Sequence, residues 1–216
     1  MKKILCFFAV CLTFFAFSCT DNADFNDKMI VFEGEFDSKP YITALANGKY
    51  YMDYSLFYGG MIISNTIAVR DGTLESRSDV NGSVSHTLLL DGATYFLDDE
   101  DKVYFKADVS EGDGLYSSID YSTAKYITSG KGDLMIGSGY SYDEFSCKTV
   151  YGEDCTVKIF MSENKSFVAI VDSMGENSIE RDIASFSAEI PEGWLEIPED
   201  YTLVGEDTYF DHYYGD

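Results

Sequence analysis

The chain has 216 residues, with 38 Asp and Glu against 15 Lys and Arg, for a formal charge of −23 at pH 7. A surface so acidic repels nucleic-acid phosphates and anionic lipid headgroups, so nucleic acid is excluded as a partner and flat electrostatic docking on a membrane is disfavoured. The length suffices for one domain with a sizeable core, and the simplest role for the acidity is solubility.

The first segment, residues 1–18, reads as a signal peptide. Met1-Lys2-Lys3 is basic, and Ile4 to Phe17 carries no charge. That run is too short for a stable transmembrane helix, which needs about 20 residues. Ala16-Phe17-Ser18-Cys19 then resembles the lipobox of bacterial lipoprotein signal peptides. The resemblance implies a diacylglycerol thioether on Cys19 and a lipid-anchored protein on the extracytoplasmic face of the cell envelope. Acyl burial gives about 0.8 kcal/mol per CH₂, so two or three chains hold firmly. The alternative is ordinary secretion with Cys19 left as a thiol. Residues 19–35 read as the lipidated cysteine and a polar tether, residues 36–204 as the folded domain, and 205–216 as an acidic, Tyr-rich tail without fixed structure.

Asp37-Ser38-Lys39-Pro40 starts one short helix, with a capping side chain and a first-turn proline, and Asn47-Gly48 stops it. From Lys49 the period changes to two. Tyr50, Met52, Tyr54 and Leu56 alternate with polar or aromatic neighbours, and Met61 to Val69 follows. Asp71-Gly72, Asn81-Gly82 and Asp91-Gly92 then recur at intervals of ten, the pairs favoured in the φ > 0 turns of tight hairpins. Between them lie the predicted strands Thr73 to Val80, Ser83 to Leu90 and Ala93 to Leu97. The turn Asp98 to Asp101 leads to another strand, Lys102 to Lys106. Leu115 to Ile127 allows a helical turn or two. Strands resume at Asp133 to Ile136, Tyr140 to Cys147, Cys155 to Met161 and Phe167 to Asp172, and Ile190-Pro191 and Ile197-Pro198 mark edges or loops. The expected fold class is mainly β with one or two short helices, an antiparallel meander.

Cys6 and Cys11 leave with the signal, so Cys147 and Cys155 form an even pair in an oxidising compartment. They stand at the mouth of one hairpin whose connection is Lys148 to Asp154. Their Cα atoms are expected about 5.5 Å apart, within disulfide range, and a disulfide is predicted. The alternative is two reduced, buried thiols.

Several segments together resemble a known family. Gly48-Lys49-Tyr50-Tyr51-Met52-Asp53-Tyr54 begins the first strand. Leu90-Asp91-Gly92-Ala93-Thr94-Tyr95-Phe96-Leu97-Asp98 and Lys102-Val103-Tyr104 follow, then Ser129-Gly130-Lys131-Gly132, Tyr140 to Phe145, and Ile197-Pro198-Glu199-Asp200-Tyr201. This order resembles bacterial lipoproteins of the LolA/LppX-like kind. The resemblance implies an unclosed half-barrel wrapped around short helices, with a concave apolar groove for a lipid or other hydrophobic ligand. Val84, Leu88 and Leu90 are the groove candidates. The family lends no catalytic residue. A membrane anchor and a short first helix depart from the diffusible carriers, which disfavours transport and keeps binding.

No constellation for chemistry emerges. His86, in Val84-Ser85-His86-Thr87-Leu88, reads as a hydrogen-bonded strand residue, and His212 as a solvated one. No serine sits in a GxSxG elbow, and Gly130-Lys131-Gly132 lacks the spacing of a phosphate loop. Asp98-Asp99-Glu100-Asp101 lacks the sixth-position glycine of an EF-hand loop, and no zinc spacing is present. No catalytic residue, metal or cofactor is therefore expected. The leading reading is a membrane-anchored lipoprotein binding a hydrophobic ligand or an envelope partner. The alternatives are a structural or protein-interaction β-domain without a cavity, and a cryptic hydrolase.

Overall fold

The computed structural model describes residues 29–107 and 119–214, with side chains as far as residue 210. One helix, α1 (Lys39–Ala46), precedes eleven long or medium strands. These are β1 (Lys49–Tyr58), β2 (Met61–Arg70), β3 (Thr73–Val80), β4 (Ser83–Leu90), β5 (Ala93–Asp98), β6 (Val103–Ala107), β7 (Ile119–Leu134), β8 (Gly137–Thr149), β9 (Asp154–Met161), β10 (Phe167–Met174) and β11 (Asn177–Ser187). A two-residue strand, β12 (Thr202–Leu203), and a helix, α2 (Glu206–Tyr214), close the chain. All twelve strands form one sheet in the order β12-β6-β5-β4-β3-β2-β1-β11-β10-β9-β8-β7. Its two ends, β12 and β7, remain edges, so the sheet is an unclosed half-barrel. Among the described residues only β12 runs parallel to its neighbour.

The tight turns follow from their residues. Asp71, Asn81 and Asp91 have φ of 51°, 55° and 51°, and the glycines after them have 85°, 84° and 72°. Positive φ at both central positions is the geometry whose twist suits two-residue hairpins. Four expectations change. Leu115 to Ile127 is not helical where it is described: β7 runs from Ile119 and buries Ile119, Tyr121 and Ala124. Asp133 to Ile136 is not a separate strand but the end of β7 and the turn into β8. Strand β11 has no counterpart in the prediction, because Glu180, Arg181 and Asp182 hide its alternation. The tail folds as α2, which places Tyr209 against Phe105 with ring centroids 4.6 Å apart.

Helix α1 sets the curvature. It touches both β1 and β7, which stand five strand spacings apart. A flat sheet would separate them by about 24 Å, whereas a helix is only about 10 Å across. The sheet must therefore curl around α1. Ile42 and Leu45 enter a cluster with Tyr50, Met52, Ile67, Phe145, Ile159 and Ile170 from the inner face. The helix ends are held by long-range contacts. Ser38 makes no side-chain cap; instead its N–H donates to Asp143 Oδ2 at 2.7 Å, from β8. Asn47 Oδ1 accepts from Ile30 N at 2.8 Å, and its amide donates to Ile30 O at 2.9 Å. Ile30 and Phe32, expected in the tether, are thus fastened to the domain, and Phe32 meets Phe145 edge-on at 6.4 Å.

Candidate functional site

The two faces of the sheet differ in what covers them. On the inner face α1 packs against the sheet through one apolar cluster that includes Ile42, Leu45 and Phe145. A buried ion pair lies there too, Arg181 with Asp172, both side chains about nine-tenths enclosed. Burial raises the pKa of Tyr54 despite the opposing effect of Arg181, and burial likewise raises Tyr50 and Tyr121. These phenols stay neutral at physiological pH.

The outer face of β1–β6 is crossed by residues 188–201. Trp194 meets Tyr51 edge-on at 5.2 Å and lies under the Arg77 guanidinium at 4.4 Å. The Leu195 N–H donates to Glu75 Oε2 at 2.6 Å, and the Tyr201 hydroxyl donates to Asp99 Oδ1 at 2.6 Å. The chain then follows the sheet edge as β12 and reaches the inner side at α2.

Beyond Trp194, among the described residues, the outer face exposes Phe57, Ile62 and Val84. A shallow depression of about 400 Å³ opens over β1–β4, floored by Ser55, Ser64 and Thr66 and walled by Asp53, Arg77, Asp79 and Val84. Register continues it to the β1–β2 hairpin, where Phe57 stands opposite Ile62 on the same side. Phe57, Ile62 (64% exposed) and Val84 (49%) form an apolar fringe to this acid-lined strip. Arg77 is already engaged: its Nη2 donates to Glu75 Oε1 at 3.0 Å. The carboxylates therefore set the character of the depression.

The residues singled out from sequence fall as follows. Cys19 lies outside the described residues. Val84, Leu88 and Leu90 do not line an inner groove. Leu89 packs against the cluster that contains Ile42, and alternation turns its neighbours to the other side. Leu88 is fully buried on the outer face, directly opposite Glu75 and so beneath the 188–201 segment; Leu90 is half-buried and Val84 exposed.

Cys147 and Cys155 are cross-strand partners as predicted, but both are free thiols. The Thr149 N–H donates to Glu153 O at 2.8 Å. Alternation from that bond makes Cys147 and Cys155 a hydrogen-bonded pair, in which side chains stand farther apart than in the intervening pairs. A disulfide needs Cβ atoms about 3.8 Å apart. Burial, reinforced by Cys155, pushes the Cys147 thiol up to about 12.

His86 is a hydrogen-bonded strand residue, with Nε2 2.8 Å from Glu75 Oε1 and Nδ1 2.7 Å from Asp99 Oδ1. In the acidic turn, Asp98 Oδ1 accepts the N–H groups of Glu100 and Asp101 at 2.9 and 3.0 Å, while Asp99 reaches His86. Glu75 carries no signal of its own in the sequence, and Asp99 and Tyr201 stand there only within the acidic turn and the resemblance, although the turns hold part of the signal. The Asn81-Gly82 turn sets Arg77 opposite His86, and the Asp91-Gly92 turn sets Leu97 opposite His86, with Asp99 two residues further along.

Among solved structures the chain is similar to MucB, with a TM-score of 0.39 and 11% identity, over 77% of this chain and 65% of that one. The chain thus spans a little under two thirds of that protein's length. No protein-family model matches, and no curated protein matches.

Proposed function

We propose that this chain is a lipid-anchored lipoprotein on the extracytoplasmic face of a bacterial cell envelope, held through Cys19. We propose further that it binds an envelope protein along the exposed outer strip. The observation that carries this reading is the pairing of an inner face packed by α1 with an exposed strip, where Asp53, Asp79 and Val84 line one depression and register continues it to Phe57 and Ile62. The occupant that fits is a segment of a partner protein presenting basic and apolar side chains. The excess of Asp and Glu, 38 against 15 Lys and Arg in the sequence, favours the approach of a basic partner and raises its on-rate. The chain acts by binding rather than by catalysis.

The resemblance to LolA/LppX-like lipoproteins implies a ligand on the inner face. The packing of Ile42, Leu45 and Phe145 there favours the protein partner instead. Native mass spectrometry of the full chain, released from membranes in mild detergent, tests this choice. The expected mass is polypeptide plus covalent anchor. A stoichiometric, non-covalent lipid would overturn the reading and return function to the inner face.

A further inference from the structure

His86 is only 3% exposed and Glu75 1%, and the carboxylate of Asp99 lies on the other side of the ring. Both imidazole nitrogens face carboxylate oxygens, at 2.7 and 2.8 Å, so the ring can donate to both only when doubly protonated. The same two carboxylates hold the 188–201 segment. Glu75 Oε2 takes the Leu195 N–H, and Asp99 Oδ1 takes the Tyr201 hydroxyl. One ring therefore sits between the two attachment points of a fourteen-residue crossing.

We propose that Glu75, His86, Asp99 and Tyr201 form a protonation-dependent clasp, which holds residues 188–201 on the outer face and releases them when His86 loses a proton. The charged and titratable groups facing this ring are Glu75 and Arg77 from β3, Asp99 from the β5–β6 turn, and Tyr201 from the segment itself. Lys102 and Asp200 pair at 2.5 Å beside it. Losing one ring proton leaves a lone pair against a carboxylate in a poorly solvated site, where an unpaired polar contact is costly. Arg77 then remains the one cation among these facing groups, opposite two carboxylates.

The sign follows from the competing influences. Burial lowers His86, but hydrogen bonds to Asp99 and then Glu75 outweigh it, and the net effect is a raised pKa. The contribution of His86 is therefore complete below about pH 6.5, the ordinary histidine value, and is lost as pH rises through the raised one. Asp99 is held down at about 2, chiefly by its bond to His86, so its contribution fades only as pH falls from about 4 toward that value. Release would uncover Leu88 and extend the exposed strip. The clasp does not depend on the partner reading, because its test follows the segment alone.

Trp194 is the only tryptophan in the chain and lies within the segment. Its emission and acrylamide quenching in the full chain should be followed between about pH 5 and 9, with far-UV circular dichroism in parallel. The expected result is a red shift and increased quenching with a midpoint above about 6.5 and an unchanged dichroism spectrum. His86→Gln should abolish the transition. Asp99→Asn, which keeps the ring, should lower the midpoint. Flat emission, a midpoint unaltered by Asp99→Asn, a transition that persists in His86→Gln, or loss of dichroism along with the Trp194 signal would each overturn the clasp.

Discussion

Replacing Ile42 by alanine tests whether α1 is the filling of the half-barrel or a movable cover over a groove. Ile42 is completely buried among inner-face side chains. The substitution removes three carbons and leaves a cavity under a helix that tertiary contacts hold at both ends. Losses of this kind cost about 2–5 kcal/mol. Alanine's better helix propensity returns only a few tenths. For a domain of this size each kcal/mol shifts Tm by about 2–4 °C, so a fall of about 10 °C is expected. Ile62→Ala, at an exposed position, should stay within about 0.5 kcal/mol. Calorimetry and urea titration of both variants measure the contrast. If Ile42→Ala melts within about 2 °C of the parent, α1 is not a packed plug and the inner face is available to a ligand.

Other positions carry their own expectations. Arg181→Met leaves Asp172 as a buried, uncompensated charge and should cost about 3–5 kcal/mol; Lys49→Met, at the exposed pair with Asp71, should cost about 1 kcal/mol or less, as read by denaturant titration. Gly82→Ala must hold a Cβ at φ +84° and should destabilise by about 1–2 kcal/mol in the same assay. Iodoacetamide at neutral pH should spare Cys147 in the native chain, because burial holds its thiol near 12. Unreduced, denatured chain should label at both Cys147 and Cys155 by peptide mass spectrometry, and an unlabelled, linked pair would contradict the free-thiol structure.

Much of the fold was legible because local chemistry enforces it. The three Asx-Gly pairs dictate left-handed turns, and these fix the registers of β2–β5 once the strands are recognised. Pro40 and Gly48 bound α1 for equally local reasons. The facing of β4 was not legible: Leu88-Leu89-Leu90 is apolar at every position, so alternation offers no side. Which leucine turns inward depends on α1 and on the segment covering the other face, both distant in sequence. Strand β7 was obscured by register irregularities against β8 and by Ser, Thr, Gly and Lys along its exposed stretch. The same limit governed the outer site. Arg77, His86 and Asp99 lie within reach of turn arithmetic, whereas Leu195 and Tyr201 meet Glu75 and Asp99 across more than a hundred residues. The outer strip is defined by where that segment stops, which no local pattern encodes.

The claim that this protein binds a basic, apolar segment on its outer strip is tested most directly by titrating a labelled synthetic peptide of alternating Lys and Leu into the full chain. Anisotropy should report saturable binding, with a peptide of alternating Glu and Leu inert. The double substitution Ile62→Ser and Val84→Ser should weaken binding about tenfold, roughly 1.4 kcal/mol. Met135→Ser with Ile136→Ser, equally exposed but on the β7–β8 turn, should leave it unchanged. Equal affinity for the two double variants would contradict the account.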